Sequence, residues 1–134
     1  MIVVDNDVIS YFWLDASRTE DARAARKRDR DWSAPQLWRS EFRNVLYQHM
    51  RHRGLSLQDA LQIAEQAEAD LAADAYPVDT ADVLRLVDTT GHSAYDCEYV
   101  ALAQQLGVTF VTGDTDLPTL FPETAVLLED FVDP

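Results

Sequence analysis

The segment GVTFVTGD, residues 107–114, is rich in β-branched side chains and stops at Gly113 and Asp114. A shorter run of the same kind, Ile2-Val3-Val4, stops at Asp5 near the amino terminus. Runs of this length and composition predict buried β-strands. The sequence therefore predicts two strands, each of which ends at a carboxylate.

Between these strands the apolar residues recur at the three-to-four spacing of helices, and glycines follow several of the periodic segments. The predicted helices are residues 35–53, 56–73, 79–90 and 94–106, with stops at Gly54, Gly91 and Gly107. Weaker strand candidates are residues 32–34, 76–78 and 125–128, and the polar segment 17–31 predicts a surface helix or helical arm. This alternation predicts an α/β fold, a short parallel sheet flanked by helices, in one domain spanning residues 1–134.

The composition excludes several classes of protein. The 134 residues are 47% hydrophobic and 26% charged, which is typical of a folded domain. The longest apolar run, Tyr99–Ala103, has five residues, whereas a membrane-spanning helix needs roughly 20. We therefore expect a soluble, cytoplasmic protein that does not enter a membrane. The only cysteine, Cys97, excludes an internal disulfide and a thiolate zinc finger.

The charge is distributed unevenly along the chain. The net charge of −13 should repel nucleic acid unless metal ions or a local basic patch intervene. Ten of the eleven basic residues lie in residues 1–53, whereas residues 54–134 carry sixteen acids and one base. The bases of segment 17–31 have two interpretations: a solvated helix face with charge pairs one turn apart, or an RNA-binding patch that tracks phosphates. Its members would be Arg23, Arg26 and Arg30.

Three aspartates are expected at one edge of the predicted sheet. In a parallel α/β sheet, ligands bind beyond the carboxyl ends of the strands, where helix amino termini also converge. Asp5 and Asp114 follow strands directly. Asp96 lies in the first turn of a helix that Ser93 is positioned to cap. Taken singly, each aspartate could simply end a strand or cap a helix, but together they predict a shared acidic crevice.

Glu41 adds a fourth carboxylate from a predicted helix. At about 100° per residue, it falls on the shoulder of the apolar face that contains Trp38 and Phe42. Arginines occupy a separate, solvated side of the same helix. An inward carboxylate is unfavourable unless it is paired, protonated or bound to metal. The alternatives for Glu41 are therefore a buried ion pair with an arginine or a place in the acidic crevice.

Four carboxylates in one crevice repel one another, and a divalent cation resolves the conflict. Oxygen ligands suit Mg²⁺ or Mn²⁺. A cluster of this kind is suited to metal-assisted hydrolysis of a phosphodiester, in which the ions activate water and neutralise charge on the leaving oxygen. Asp7 and Glu98 are interpreted as helix-start or exposed acids, whereas Asp116 could supply a supporting or additional metal contact.

Four motifs, in order along the chain, resemble those of one protein family. They are the strand ending at Asp5, Glu41 followed by Asn44-Val45-Leu46, SAYD (93–96) leading into YVALA (99–103), and VTGD (111–114). The chain resembles the PIN-domain ribonucleases, and within them the VapC-type toxins of bacterial toxin–antitoxin pairs. The resemblance spans nearly the whole chain. The tyrosine–aspartate pair at the start of a helix and the threonine-x-aspartate motif at the end of a strand are fairly specific for this family.

This resemblance implies a PIN-like three-layer sandwich, Mg²⁺- or Mn²⁺-dependent endoribonuclease activity on RNA, a homodimer, and inhibition by a cognate antitoxin protein. Carried over by position, the catalytic acids it implies are Asp5, Glu41, Asp96 and Asp114. Asp5, Asp96 and Asp114 would then bind the metal. Thr112 matches a catalytic hydroxyl that orients water or a carboxylate. Asn44, one helical turn from Glu41, could brace it.

Two other function classes remain as alternatives. The sequence Asp5-Asn6-Asp7 after a strand resembles the nucleophile and acid of haloacid dehalogenase-like phosphatases, but that chemistry needs a lysine, and the only one, Lys27, lies in the polar segment. A non-catalytic PIN-like module that holds a partner is the second alternative. The apolar cluster 11–14 would mark a dimer or antitoxin groove if an excess of it were exposed.

Overall fold

The structure, a computed structural model, describes residues 1–71 and 75–134. Its strands are β1 (Ile2–Val4), β2 (Trp32–Pro35), β3 (Ala75–Tyr76), β4 (Phe110–Thr112) and β5 (Ala125–Leu127). Its helices are α1 (Asn6–Trp13), α2 (Thr19–Arg28), α3 (Leu37–His52), α4 (Leu57–Leu71), α5 (Thr80–Thr90), α6 (Ala94–Leu106), α7 (Asp116–Leu120) and α8 (Leu128–Val132).

The strands form a parallel sheet in the order β3-β2-β1-β4-β5. Val3 of the central strand β1 pairs with Ser33 on one side and with Phe110 on the other. Every residue of β1 is buried, so both faces of the sheet are covered. Helix α1 packs against β1 and β4, and α6 packs against β1 and β2. The predicted α/β fold, a short parallel sheet flanked by helices, is confirmed.

The predicted elements agree best with the structure where the local signals are strong. Helix α6 has the predicted bounds; Ser93 Oγ accepts a hydrogen bond from Tyr95 N at its start, and Gly107 ends it with a φ of 68°. Only glycine adopts this left-handed conformation without strain. The predicted helix 56–73 corresponds to α4, which is described as far as Leu71; residues 72 and 73 lie outside the described residues.

Three short helices differ from the prediction. Helix α1 follows directly from β1 and carries an aromatic run at 11–13 that hides its helical period. Helices α7 and α8 have five residues each, too few for apolar spacing to be recognised. The strand predicted over 107–112 begins only at Phe110, because Gly107 closes the preceding helix.

Arg26 of the predicted RNA-binding patch is part of the protein's own packing. Its guanidinium bonds both carboxylate oxygens of Asp70 on α4, at 2.9 and 2.6 Å, and lies 4.9 Å from the ring centre of Trp32. Arg23 pairs with Glu20 one turn away at 2.7 Å. The solvated-face interpretation therefore suits Arg23, whereas Arg26 ties α2 to α4.

The end of α2 lies at the opposite edge of the sheet from the predicted crevice. Arg30 sits between Asp29 and Asp31, which bond the backbone nitrogens of the first two residues of the chain. Those contacts surround the amino end of β1, whereas Asp5 follows its carboxyl end. Arg26 and Arg30 therefore lie away from the acids, and RNA binding by Arg23, Arg26 and Arg30 stays a prediction.

The apolar cluster 11–14 is also largely engaged in packing. Leu14 is buried and the three aromatic residues before it are half-buried; the ring of Phe12 lies 5.2 Å from that of Trp13. Exposed apolar side chains instead line an open groove of about 740 Å³ between α3 and α4. They are Tyr47, Met50, Leu57 and Leu61.

Within the described ranges, none of the helices combines the length and the apolar character needed to cross a bilayer.

Replacing Arg26 tests its structural role. Arg26→Ala should lower the free energy of unfolding by about 1–2 kcal/mol, because the paired carboxylate of Asp70 and the contact with Trp32 are both lost. Urea denaturation measures this change. The matched control is Arg23→Ala, whose side chain is 54% exposed and which should change stability by less than about 0.5 kcal/mol. Equal effects of the two substitutions would contradict the assignment.

Candidate active site

Asp5 joins the end of β1 to the start of α1. Its Oδ1 accepts a hydrogen bond from Val8 N at 3.0 Å and so caps the helix. Its Oδ2 accepts from Thr112 Oγ1 and, at 3.2 Å, from Gly113 N on the neighbouring strand end. The residue is only 6% exposed. The two strands predicted to end at aspartates therefore meet at this carboxylate.

Asp114 follows on the same strand end. Its N–H donates to Thr112 Oγ1 at 3.0 Å, and its Oδ1 accepts from Asp116 N at 2.9 Å. Gly113 permits the close approach of α1 to this loop, since a Cβ built on it would lie 2.9 Å from Cβ of Asp7. Any larger residue would push the two elements apart.

Glu41 on α3 is linked to α6 through Tyr99. The Tyr99 hydroxyl donates to Glu41 Oε1 at 2.7 Å. The Tyr99 ring is buried and stacks on Phe110 of β4, with ring centres 5.9 Å apart. Burial raises the pKa of Tyr99, and the Glu41 carboxylate raises it further, so the hydroxyl stays a donor. Among the described residues Glu41 has no arginine partner; the nearby arginines of α3 contact Glu68 instead.

Asp96 lies in the first turn of α6, as predicted, and contacts His92. Its Oδ2 is 2.8 Å from His92 Nε2. One donor atom from each of His92, Asp96 and Asp114 lies within 4.8 Å of the others, close enough to share a cation. The acid that starts α6 and the acid that follows β4 therefore face the same space.

These side chains line one cavity of about 70 Å³ at the carboxyl edge of the sheet. The lining residues are Asp5, Asn6, Asp7, Glu41, Asp96, Tyr99 and Asp114. The structure thus brings together the four acids picked out from the sequence, with Thr112 bonded to Asp5. Asn44 and Asp116 are exposed and lie outside this lining. Among the described residues Asn44 makes no hydrogen bond to Glu41, so the predicted brace is not observed.

Three lining residues, Asn6, Asp7 and Tyr99, were missed by the sequence interpretation. Asp7 does start a helix, as its pattern indicates, but α1 begins so close to the sheet edge that its first turn reaches the cavity. Tyr99 follows Asp96 by three residues, which places both on one face of α6. That spacing is a signal that could have identified Tyr99, whereas Asp7 becomes recognisable only once α1 is placed.

The cavity concentrates negative charge. Burial raises the pKa of Asp5 to about 7, and the neighbouring Asp7 carboxylate adds to the rise. Burial also raises the pKa of Asp7, with contributions from Asp114 and Asp96. For Glu41 the pKa is again raised mainly by burial. The charges of neighbouring acids thus add to the effect of burial at Asp5, Asp7 and Glu41.

The lining suits a divalent cation. Among the described residues that line it, none is a lysine or an arginine, so none of them balances the carboxylates. A volume of about 70 Å³ exceeds the roughly 10–15 Å³ that a single water needs. Carboxylate oxygens are the ligands that Mg²⁺ and Mn²⁺ prefer. The residues present therefore fit such an ion, and Asp5, Asp7, Asp96 and Asp114 are the aspartates whose carboxylate oxygens could hold it.

Comparison with known proteins places the chain in a family. The pattern of the PIN domain family matches residues 2–125, so the chain belongs to that family. It is 28% identical over 124 residues to a protein of Pyrobaculum aerophilum named ribonuclease VapC3, an alignment that covers 90% of this chain and 95% of the relative. The family resemblance drawn from the motifs is confirmed.

Solved structures share the fold. PAE2754 from Pyrobaculum aerophilum superposes with a TM-score of 0.76 at 18% identity, covering 98% of this chain and 92% of that one. FitAcB from Neisseria gonorrhoeae gives a TM-score of 0.76 at 18% identity, covering 96% of this chain and 99% of that one. These structures therefore share the fold of this chain over nearly its whole length.

The phosphatase alternative finds no support in this site. Its chemistry needs a lysine beside the acids, and Lys27 lies on α2 two residues before Asp29. Asp29 bonds the amino-terminal ammonium at 2.9 Å, at the opposite edge of the sheet from Asp5. Lys27 is thus on the wrong side of the sheet to hold a phosphorylated Asp5.

Neutralising Asp7 tests the electrostatics of the cluster. A carboxyl whose pKa is raised by folding contributes stability at low pH that is lost as the pH rises through its folded pKa. In the presence of a chelator, Asp7→Asn should therefore raise the melting temperature over that of the wild type more at about pH 8 than at about pH 5.5. Thermal unfolding followed by circular dichroism measures both values.

The control for this prediction is Asp88→Asn, the same change of charge on the exposed surface of α5. It should shift the melting temperature equally at both pH values. A pH-independent effect of Asp7→Asn would show that repulsion within the cluster does not reach Asp7.

Proposed function

We propose that this protein is a VapC-like ribonuclease toxin, a hydrolase that cleaves RNA phosphodiesters with the help of Mg²⁺ or Mn²⁺. The observation that carries the proposal is the convergence of Asp5, Glu41, Asp96 and Asp114 on one cavity whose lining holds no basic side chain. Membership of the PIN domain family and the ribonuclease VapC3 relative support the same function.

The roles proposed for the residues follow from their contacts. Thr112 and Gly113 fix the Asp5 carboxylate by donating to Oδ2. Tyr99 fixes Glu41 from the opposite wall, and His92 orients Asp96. Asp5, Asp96 and Asp114 would hold the cation, with Asp7 beside them.

The chemistry then needs no covalent bond between the protein and RNA. When bound, a divalent cation activates water and neutralises charge on the phosphate and the leaving oxygen. The carboxylates would keep the cation in place, and Glu41, paired only with the Tyr99 hydroxyl among the described residues, is available to accept a proton from the attacking water.

Asp96→Asn is the direct test of this function. Because it removes a cation-holding oxygen worth several kcal/mol of transition-state stabilisation, cleavage of single-stranded RNA with Mn²⁺ should fall by about 100-fold or more. Calorimetric titration should show weaker Mn²⁺ binding, while the melting temperature holds or rises through relieved repulsion. A gel assay with labelled RNA follows the cleavage.

Asp88→Asn serves again as the matched control and should cleave at the wild-type rate. Excess chelator should stop cleavage by both the wild-type chain and the Asp88→Asn variant. Undiminished cleavage by Asp96→Asn would remove Asp96 from the mechanism. A wild-type chain that binds Mn²⁺ but leaves RNA intact would instead favour the non-catalytic PIN-like module.

We also propose the partners that a VapC-type toxin requires: a cognate antitoxin protein that blocks the activity, and a second copy of the chain. Light scattering of the purified protein should give twice the mass of one chain, and a single-chain mass at micromolar concentration would contradict the dimer. Co-purification with the product of an adjacent short gene should abolish RNA cleavage, and unchanged cleavage would argue against that antitoxin.

A further inference from the structure

A second cavity adjoins the acidic one. It has a volume of about 460 Å³, within the roughly 300–1,000 Å³ typical of ligand pockets. Asn6 and Glu41 line both cavities, so the two share a wall. Apart from Glu41, the second cavity is lined by apolar and neutral polar groups. The space next to the acids therefore has a different chemistry from the acids themselves.

An exposed aromatic ring stands at the edge of this second cavity. Tyr95 is 63% exposed, the largest exposed fraction among the exposed large hydrophobic side chains. It lies one residue before Asp96 in the first turn of α6, where its backbone N–H is held by Ser93 Oγ. An exposed ring beside the acids is free to stack on a planar group such as a base.

The rest of the lining combines apolar side chains with neutral hydrogen-bonding groups. Leu37 and Val45 are the apolar residues, and Asn6 and Asn44 contribute carboxamides. The Oδ1 atom of Asn6 is buried and accepts no hydrogen bond from the described residues. A buried polar atom without a partner is unfavourable, so its hydrogen-bonding capacity is available to a ligand.

We propose that this cavity is a nucleobase subsite, in which the base of the nucleotide next to the cleaved phosphodiester stacks on Tyr95 and is read by Asn6 and Asn44. Single-stranded RNA is recognised in this way by proteins generally, through aromatic stacking and amide contacts to base edges. The inference rests on the proposed ribonuclease function, because the phosphate of that nucleotide would lie in the acidic cavity. Apart from the shared Glu41, the lining carries no charge, so contacts to the base would hold RNA beside a cluster that repels its backbone.

Kinetics on single-stranded RNA test the subsite. A random-sequence RNA digested with Mn²⁺ first gives the base preference on each side of the cleaved bond, and a fluorogenic oligonucleotide of the preferred sequence then gives kcat and KM. Stacking holds the substrate equally before and during the reaction, so Tyr95→Ala should raise KM about tenfold with little change in kcat. Tyr95→Phe, which keeps the ring, should retain the wild-type KM.

The matched control is Tyr47→Ala, which removes an exposed tyrosine of α3 on the groove facing α4, away from the second cavity. It should leave both kcat and KM unchanged. Asn44→Ala should keep cleavage but weaken the base preference at the subsite position, which a purely structural role would not alter.

An abasic substrate makes the test specific for the base. Removing the base of the subsite nucleotide should raise KM about tenfold for the wild type and have almost no further effect on Tyr95→Ala, because the two changes remove the same contact. Additive effects would overturn the subsite. Identical kinetics and base preference for Tyr95→Ala and the wild type would also overturn the subsite. Tyr95 would then be assigned to a protein-binding surface instead.

The failure of the subsite is distinguishable from that of the proposed function. If the wild-type chain cleaves RNA and the Tyr95 and Asn44 variants behave like Tyr47→Ala, the ribonuclease function stands and the subsite is wrong. If the wild-type chain cleaves no RNA with either Mn²⁺ or Mg²⁺, both proposals fall together.

Discussion

The carboxylate of Asp5 is the point at which the sheet, helix α1 and the acidic cavity are joined. One of its oxygens caps α1 and the other holds the end of β4 through Thr112 and Gly113. Burial opposes its ionisation, and the charge of Asp7 opposes it further. Hydrogen bonds from three donors make such a buried group tolerable. Fold and candidate site thus depend on the same side chain.

On the other side of the cavity, Glu41 and Asp96 are positioned by two helices. Glu41 belongs to α3 and Asp96 to α6, and Tyr99 connects the two helices by donating its hydroxyl to Glu41. Its ring packs on Phe110 in the core, so the position of the hydroxyl is set by the sheet rather than by solvent-exposed contacts. The geometry of the acids is therefore fixed from inside the protein, and only their outer faces open to solvent.

Much of this arrangement could be predicted because local chemistry determines it. The cap at Ser93 and the glycine at 107 define α6 without reference to the rest of the chain. Parallel strands bring their carboxyl ends to one edge, so the aspartates after β1 and β4 were expected at the same edge. Glu41 could be placed by its position on the helix, since an inward carboxylate needs a partner or a site.

The remainder depends on contacts between residues that are distant in sequence. Arg26 looks like one of several surface bases until α4 brings Asp70 against it, 44 residues further along the chain. Asp7 joins the cavity only because Gly113 lets α1 approach the end of β4. Asn44, by contrast, has the right spacing from Glu41 but lines only the second cavity and makes no hydrogen bond to Glu41 among the described residues. Spacing along a helix defines a face, and packing decides what that face meets.

Because Asp5 supports both the fold and the cavity, its substitution has different consequences from substitution of the other acids. Substitutions at Asp96 or Asp114, which are only half-buried, alter the cavity and leave the core intact. A substitution at Asp5 uncaps α1 and strips the end of β4 of its acceptor at the same time. A lineage released from selection for chemistry would thus drift first at positions 96 and 114 while retaining the first aspartate. If a distant relative keeps Asp5, its scaffold is preserved. The retained Asp5 says little about whether that relative still catalyses a reaction.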